Sequence, residues 1–480
     1  MWFRADLRVS DNAAIWHAAA EAAEEGGAVV ACVVICSEQW REHDWAGIKV
    51  DFILRNLREL QDELAKLNIP LLIRSAPRFA ECPALLAELA VEHGCRAIFF
   101  NREYEINERR RDEAVAAECK KLGISCRGFT DQTLTEPGDV RTANGTGGYF
   151  TVFTPFRNAL YRVLQERGGV EVWPKVKKQA ETGIVSGPIP ERVEGFVSHV
   201  RDAETIWPAG EKHAQKRLNV FVDQRISDYK KCRDFPAMDA TSALSPYLCV
   251  GAISVRQCVS AAKEANNGKL DGGKDGPACW ISELAWREFY KHILVGFPRV
   301  SMGRAFKQET ERLKWSYDQK HFDAWCTGKT GVPIVDAGMR QLAETGWMHN
   351  RVRMVVAMYL TKNLFIDWRW GEKFFMQHLI DGDHAANNGG WQWSASTGTD
   401  AAPYFRIFNP VSQSRTYDPD GEYIRRYVPE LKHLEAGAKG ALHDPSDLPP
   451  LARANLEYPE PLVDLSRSRE RAIKAFQELR

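Results

Sequence analysis

The sequence has no run of about 18 apolar residues of the kind a membrane-spanning helix needs, because Asp, Glu, Lys or Arg interrupts every candidate. A protein outside the membrane is expected. No basic stretch followed by an apolar one opens the chain at Met1-Trp2-Phe3-Arg4-Ala5-Asp6, so no secretory signal is read there and the expected location is cytoplasmic. None of the 11 cysteines forms a C-x-x-C pair. The closest two, Cys32 and Cys36, lie in an apolar run, which predicts free thiols in a reducing compartment, mostly filling core. Charge of one sign is also missing: 64 basic residues balance 64 acidic ones. General coating of nucleic acid is thereby excluded, and any such contact must come from a local patch.

What is present is enough chain for two cores, since 480 residues exceed what one ordinary domain buries. Up to about residue 130, short apolar, β-branched runs at 29–35, 70–73, 96–100 and 125–129 alternate with helical patterns, the best at 48–67 and 84–93. That alternation predicts an α/β domain, Rossmann-like, with a parallel sheet covered on both faces. No G-x-G-x-x-G follows any of its strands, so a pyrophosphate on the first helix is not expected. Between 131 and 200, Gly, Pro, Thr and Asn dominate, as in Thr142-Ala143-Asn144-Gly145-Thr146-Gly147-Gly148, and predict an inter-domain connection with one short helix at 155–167. From 201 to 465 helical periodicity takes over, notably at 281–294, 332–345 and 350–362, which predicts an all-α second domain. Residues 466–480 are read as the end of a last charged helix.

Nine of the 15 tryptophans fall between Trp280 and Trp393, a density that packing alone does not require. At helical steps of three, four and seven, Trp280, Glu283, Trp286 and Arg287 share one broad face. An Arg287–Glu283 salt bridge on a solvated helix would be inert, worth about a few tenths of a kcal/mol. Two tryptophans beside the pair point instead to an interface, a ligand or a base-stacking platform. A second helical segment places Asn350, Arg353 and Met354 on one side, where the Asn amide can both donate and accept. In Asp381-Gly382-Asp383-His384-Ala385-Ala386-Asn387-Asn388-Gly389-Gly390-Trp391, the D-x-D lacks the Gly and Glu of a calcium loop, so no metal is expected. Its small residues would let backbone approach a flat ligand whose edge the Asp and Asn side chains bond. Hydroxyls at Thr241, Ser242 and Ser245, before an apolar helical stretch, suit a phosphate or plain N-capping.

Together these segments resemble the FAD-binding domain of the DNA photolyase and cryptochrome family, specifically the class I cyclobutane pyrimidine dimer photolyases. The resemblance covers essentially the whole chain, from Trp2-Phe3-Arg4-Ala5-Asp6-Leu7-Arg8 to beyond Arg406-Ile407-Phe408-Asn409-Pro410. It implies FAD, with Tyr229, Thr241, Ser242, Leu244 and Ser245 around its phosphates. Trp280, Arg287, Trp347, Asn350, Arg353, Asp381, Asp383 and Asn387 would surround the rest, Asn387 facing the flavin N5. Trp391, Trp368 and Trp315 match the family's tryptophan chain from flavin to surface. Glu283, Trp286, Asn350, Met354 and Trp393 match its dimer pocket, while Arg233, Arg287, Arg351 and Arg406 are candidates for DNA or flavin phosphates. His43, Asn107 and Glu108 match residues that contact an antenna, expected to be 5,10-methenyltetrahydrofolate. Met302 stands where some folate-binding members use a lysine, so a deazaflavin or an empty site stays open. His384 replaces a usual Leu, and few residues precede Trp2 to build the first strand. The implied activity is a lyase reaction on pyrimidine dimers in DNA, driven by blue light through excited reduced FAD. A cryptochrome-type blue-light receptor is the alternative. No obligate protein partner is expected, and the chain should act as a monomer.

Overall fold

The computed structural model describes residues 1–142, 148–437 and 440–479. The stretch Ala143-Asn144-Gly145-Thr146-Gly147, read above as part of the connection, lies outside the described residues, as does Arg480.

Five short strands form in the first 130 residues, where β-branched and aromatic residues can be covered on both faces. They are β1 (Trp2–Phe3), β2 (Ala31–Ile35), β3 (Leu71–Ser75), β4 (Ala97–Asn101) and β5 (Ser125–Phe129). All pairings are parallel, but the single sheet expected from the sequence is in fact two, ordered β1-β2-β3 and β4-β5. The division falls at β1, whose two residues offer too little edge to carry a ladder on both sides. Side chains bridge the gap instead: Trp2 meets Phe100 of β4 edge-on at 5.9 Å, and the Arg4 guanidinium donates to the Asn101 carbonyl.

Helices Ala13–Glu24, Gly47–Ala65, Cys82–Glu92 and Ile106–Lys121 intervene between the strands, matching the periodic segments at 48–67 and 84–93 to within two residues. The short helix expected near 155–167 forms at Phe153–Glu166. From residue 201 on, the described residues contain no strand, only helices and one isolated bridge, Ser316 to Ile366. The helix Asp275–Gly296 lies against Phe153–Glu166, Val255–Ala265 and His384–Ala395, so it carries its residues between the two halves of the molecule. The periodic stretch 350–362 is not one regular helix: it is α-helical over Asn350–Met358 and widens into a π turn over Tyr359–Asn363. No helix among the described residues is long and apolar enough to cross a membrane.

The halves are locked by a buried ionic cluster. Asp131 accepts from Arg8 at 2.6 Å and from Arg256 of the 255–265 helix at 2.7 Å, and Arg256 also reaches Asp11 at 3.0 Å. All four side chains are withdrawn from solvent, and each charge is neutralised by a partner, the condition under which such a cluster is tolerated in a core.

Candidate flavin site and inter-domain cavity

The Asp-rich loop of 381–383 is fixed by two ion pairs that work from opposite sides. Arg353 Nη2 bonds both carboxylate oxygens of buried Asp381, at 3.0 and 2.8 Å, while its Nε donates to the Met348 carbonyl. Asp383 caps the His384–Ala395 helix by accepting from the Ala386 N–H at 2.9 Å, and takes Lys291 Nζ at 3.0 Å. Burial opposes ionisation of Asp383, but Lys291 and then Arg287 outweigh it and hold the carboxyl well below the usual carboxylate range. Burial likewise opposes the charge on Lys291, and Asp383 with Glu105 raises its pKa.

One turn further on, the Asn387 amide donates to the Glu372 carbonyl at 2.9 Å and Asn388 donates to the Glu372 carboxylate at 2.7 Å. With its NH2 so engaged, Asn387 presents its carbonyl oxygen as an acceptor. The small residues of this loop divide between two tasks, which corrects the reading that all four serve a flat ligand. Ala385 is packed with Leu294 and Val300, and a Cβ on Gly389 would stand 2.2 Å from the Tyr290 ring. Those two are small for the protein's own packing. Ala386 is exposed and a Cβ on Gly390 would meet nothing within 4 Å, so these two border open space.

The broad face expected of Trp280, Glu283, Trp286 and Arg287 is not a single surface. Trp280 is buried against Phe221, which also carries Tyr229; Trp286 stacks on Phe153 at 3.7 Å and 9°; Arg287 donates to the Gln132 carbonyl. The Arg287–Glu283 salt bridge gives way to a different pair, Arg233 Nη1 with Glu283 Oε1 at 2.5 Å. Steps of three and four fix azimuth alone, and partners outside the helix decide where long side chains bend. Neighbouring Arg351 bonds Asp234 at 3.0 Å and covers the Tyr417 ring. Asn350 is exposed, Met354 and Trp393 are half-buried, and Arg406 is exposed.

The hydroxyl group at 241–245 does not act as an ordinary helix cap. The helix Ser245–Val250 has Leu244 at its N-cap with no side-chain bond, and Ser242 Oγ instead accepts from the Leu244 N–H at 3.4 Å. Ser245 Oγ receives the Trp347 indole N–H at 3.2 Å, which joins this turn to the 350–358 helix region. Of the three matched tryptophans, Trp391 and Trp368 are buried, as the core requires. Trp315 is only 8% exposed, because Phe365 and Phe476 pack on it, so the expected surface terminus is closed.

His43, Asn107 and Glu108 do converge. His43 Nε2 lies 3.0 Å from the Asn107 amide, and its Nδ1 is 3.4 Å from Glu108 Oε1. They line a cavity of about 490 Å³ between the α/β and helical parts, whose opposite wall includes Lys291, Met302, Asp383 and His384. Periodicity in the sequence gave no sign of this cavity, since its walls come from segments some 250 residues apart. Burial, reinforced by Glu105, pushes the Glu108 carboxyl up to about 8, and burial with His384 pushes His43 down to about 4. Glu108 Oε2 and His384 Nε2 are buried there without a hydrogen-bond partner. No cluster of His, Cys, Asp and Glu fit to hold a metal occurs among the described residues. All 11 cysteines are free thiols, and the nearest partner of Cys36 is Cys82 at 3.6 Å.

The chain is thus a two-part protein, an α/β part joined to a helical part that carries an Asp-Asn loop fixed by ion pairs. Two family models match it: DNA photolyase over residues 1–176 and the FAD binding domain of DNA photolyase over residues 280–478. The deoxyribodipyrimidine photo-lyase of Vibrio cholerae is 42% identical over 99% of this chain and 98% of its own length. A class III photolyase from Agrobacterium tumefaciens superposes with a TM-score of 0.85 at 36% identity, covering 100% of this chain and 96% of that one. A Synechocystis cryptochrome gives 0.83 at 28%, covering 99% and 98%. The chain belongs to the DNA photolyase family.

Proposed function

We propose that this chain splits cyclobutane pyrimidine dimers in DNA under blue light. FAD, when bound, supplies the photoexcitable electron for the reaction. The observation that carries the reading is the Asn387–Glu372 bond, which engages the Asn387 NH2 and leaves its amide oxygen as the acceptor on a helix whose first turn is held by Asp383 and Lys291. An acceptor in that place suits a protonated flavin N5, and the donor set is what a flavin edge requires. Asp381, held by Arg353, would join Asn350, Trp347, Arg287 and Trp280 in holding the flavin. Tyr229, Thr241, Ser242, Leu244 and Ser245 take the phosphates and sugar.

Glu283 and Arg233 form one recognition unit for the dimer. A carboxylate only accepts, so Glu283 takes the imide N–H of a thymine while Arg233 donates to the adjacent carbonyl and draws developing negative charge. Trp286, backed by Phe153, offers its remaining face to an extruded base, and Met354, Asn350 and Trp393 exclude water around it. Arg351 and Arg406 face the DNA backbone. Trp315, Trp368 and Trp391 would be the side chains that supply electrons to a bound flavin. The division at residues 130 and 200 separates this machinery from an antenna part. There, Asn107 and the unpartnered Glu108 oxygen fit the ring N–H groups of a reduced folate, with His43 beside them, and a deazaflavin is the competing occupant.

The decisive preparation is the purified protein, with its absorption recorded and dimer loss in irradiated DNA measured in light and in darkness. Light-dependent loss supports repair; flavin absorption without any loss in light would favour a cryptochrome-like receptor. Glu283→Ala should lower repair per absorbed photon while flavin stays bound, and an unchanged yield would remove Glu283 from the reaction.

A further inference from the structure

We propose that Cys36 and Cys82 are a dithiol that peroxide oxidises to a reversible disulfide, and that this bond redraws one wall of the cavity between the two parts. The disulfide does not depend on what fills the cavity; its effect on light harvesting rests on the antenna reading above.

The pair is made by the fold and not by spacing along the chain. Of the two cysteines closest in sequence, Cys32 lies inside β2, while Cys36 lies just past its end and precedes the short helix Ser37–Glu42. Its partner comes from 46 residues further on, at the first position of the helix Cys82–Glu92, and the two Sγ atoms stand 3.6 Å apart. A disulfide needs about 2.0 Å. Each thiol sits at a junction between elements, so the remaining approach falls on turns. Both side chains are buried, with exposures of 2% and 0%, yet both line the cavity of about 490 Å³, which gives a small oxidant its way in.

The two thiols are not equivalent. With the Cys36 S–H as donor, the bond between them holds the Cys82 thiol below the ordinary cysteine value and raises that of Cys36. Arg111, which lines the same cavity, adds to this against the cost of burial. A thiol in the first turn of a helix and near a guanidinium is the kind that reacts as a thiolate. Cys82 is therefore the attacking sulfur and Cys36 the resolving one. Cys249 supplies the contrast inside the same cavity, because burial pushes its thiol up to about 11.

Atoms and electrons balance. The Cys82 thiolate attacks one oxygen of hydrogen peroxide and the O–O bond breaks. Cys82 becomes a sulfenic acid, and the other oxygen leaves, taking up the proton that the thiol released, as water. The Cys36 sulfur then attacks the Cys82 sulfur, the S–O bond breaks, and the Cys36 proton departs with that oxygen as a second water. Two electrons have passed from the thiols to the peroxide. A dithiol reductant reverses the bond by exchange and ends as a disulfide itself.

The consequence is geometric. Phe79 belongs to the turn that precedes Cys82 and meets His43 edge-on at 5.6 Å, and His43 ends the helix that Cys36 precedes. Joining the two sulfurs draws these turns together, and the Phe79 and His43 walls move with them.

The test uses the full flavin-loaded chain, kept in darkness, treated with hydrogen peroxide and then with dithiothreitol. Thiol titration should show two of the 11 free thiols lost and then recovered, and peptide mapping should place the bond between Cys36 and Cys82. Cys36→Ala should stop at the sulfenic acid, trapped by dimedone on Cys82; Cys82→Ala should give neither bond nor adduct; Cys249→Ala should behave as the wild type. The proposal is overturned if the wild-type pair stays reduced, if the bond joins other cysteines, or if Cys82→Ala carries a dimedone adduct on Cys36. Mapping of the wild type needs no variant to fold, so the first two outcomes stand by themselves. Added as a probe, 5,10-methenyltetrahydrofolate should bind the oxidised protein more weakly than the reduced one, and dithiothreitol should restore the binding. Equal affinity for both states would overturn the effect on the cavity. Binding to neither state would mean that the antenna reading has failed, a result distinct from failure of the disulfide.

Discussion

Single residues at the flavin loop show why composition alone misassigns small side chains. Gly389 and Gly390 are adjacent and identical, yet a Cβ at one would sit 2.2 Å from the Tyr290 ring and at the other would meet open space. Tyr290 is wedged among Trp286 and Phe289 and has little room to retreat. Gly389→Ala should therefore destabilise the protein by about 1–3 kcal/mol through overpacking, whereas Gly390→Ala should gain slightly, since Ala is worth about 0.5–1 kcal/mol over Gly inside a helix. Urea denaturation of the two variants checks this, and equal midpoints would show that the Tyr290 contact yields freely. A glycine pair in a sequence says that room is needed somewhere; it does not say whether a ligand or a neighbouring ring needs it.

At the scale of elements, four of the strands and the helices at 48–67, 84–93, 155–167, 281–294 and 332–345 were legible, because each is a sustained apolar run or a sustained helical pattern. Two features were not. The π turn at 359–363 interrupts a stretch whose apolar residues are buried all round, so no face change marks the break. The split of the sheet depends on β1 having two residues, a matter of edge length that hydropathy does not encode. Functional faces fared similarly: Trp280, Glu283, Trp286 and Arg287 share an azimuth but are drawn to Phe221, Arg233, Phe153 and Gln132 by elements distant in sequence. Arg353, Asp381, Asp383 and Asn387 nevertheless come together: Asp383 caps the helix that carries Asn387, and Arg353 reaches Asp381 from 28 residues away. The lock between halves is of the opposite kind, assembled from residues 8, 11, 131 and 256. Arg256→Ala would strand Asp11 and leave Asp131 with Arg8 alone, and breaking such a buried pair costs about 3–5 kcal/mol. The loss should appear in chemical denaturation as lower overall stability, and a shift within error of zero would mean the cluster is dispensable.

On the scale of the whole molecule, the two parts meet around a cavity whose walls carry opposed titrations. His43 is held down to about 4, so the neutral ring is preferred in the fold; its contribution is present above the ordinary histidine pKa and is lost as pH falls from about 6.5 through 4. Glu108 is pushed up to about 8, so the protonated carboxyl is preferred; its contribution is present below the ordinary value and is lost as pH rises from about 4.5 through 8. The unliganded protein should accordingly lose stability on both sides of a maximum lying between those limbs. One group can tilt the alkaline limb by at most about 1.4 kcal/mol per pH unit. Glu108→Gln mimics the neutral acid and does not titrate, so the His43 slope should emerge between pH 4.5 and pH 6.5, where the two contributions oppose each other in the wild type, and the melting temperature should fall less steeply than that of the wild type between pH 6.5 and pH 8. Parallel curves for the two proteins over that interval would show that Glu108 ionises freely. The same substitution removes the second acceptor oxygen that only the ionised carboxylate offers, so a ligand that presents two ring N–H groups should bind it more weakly above about pH 8 and much like the wild type below that. Joint observation of a flattened alkaline limb and weakened pterin binding would tie the raised carboxyl to the antenna site, because a merely structural glutamate would alter the first without the second.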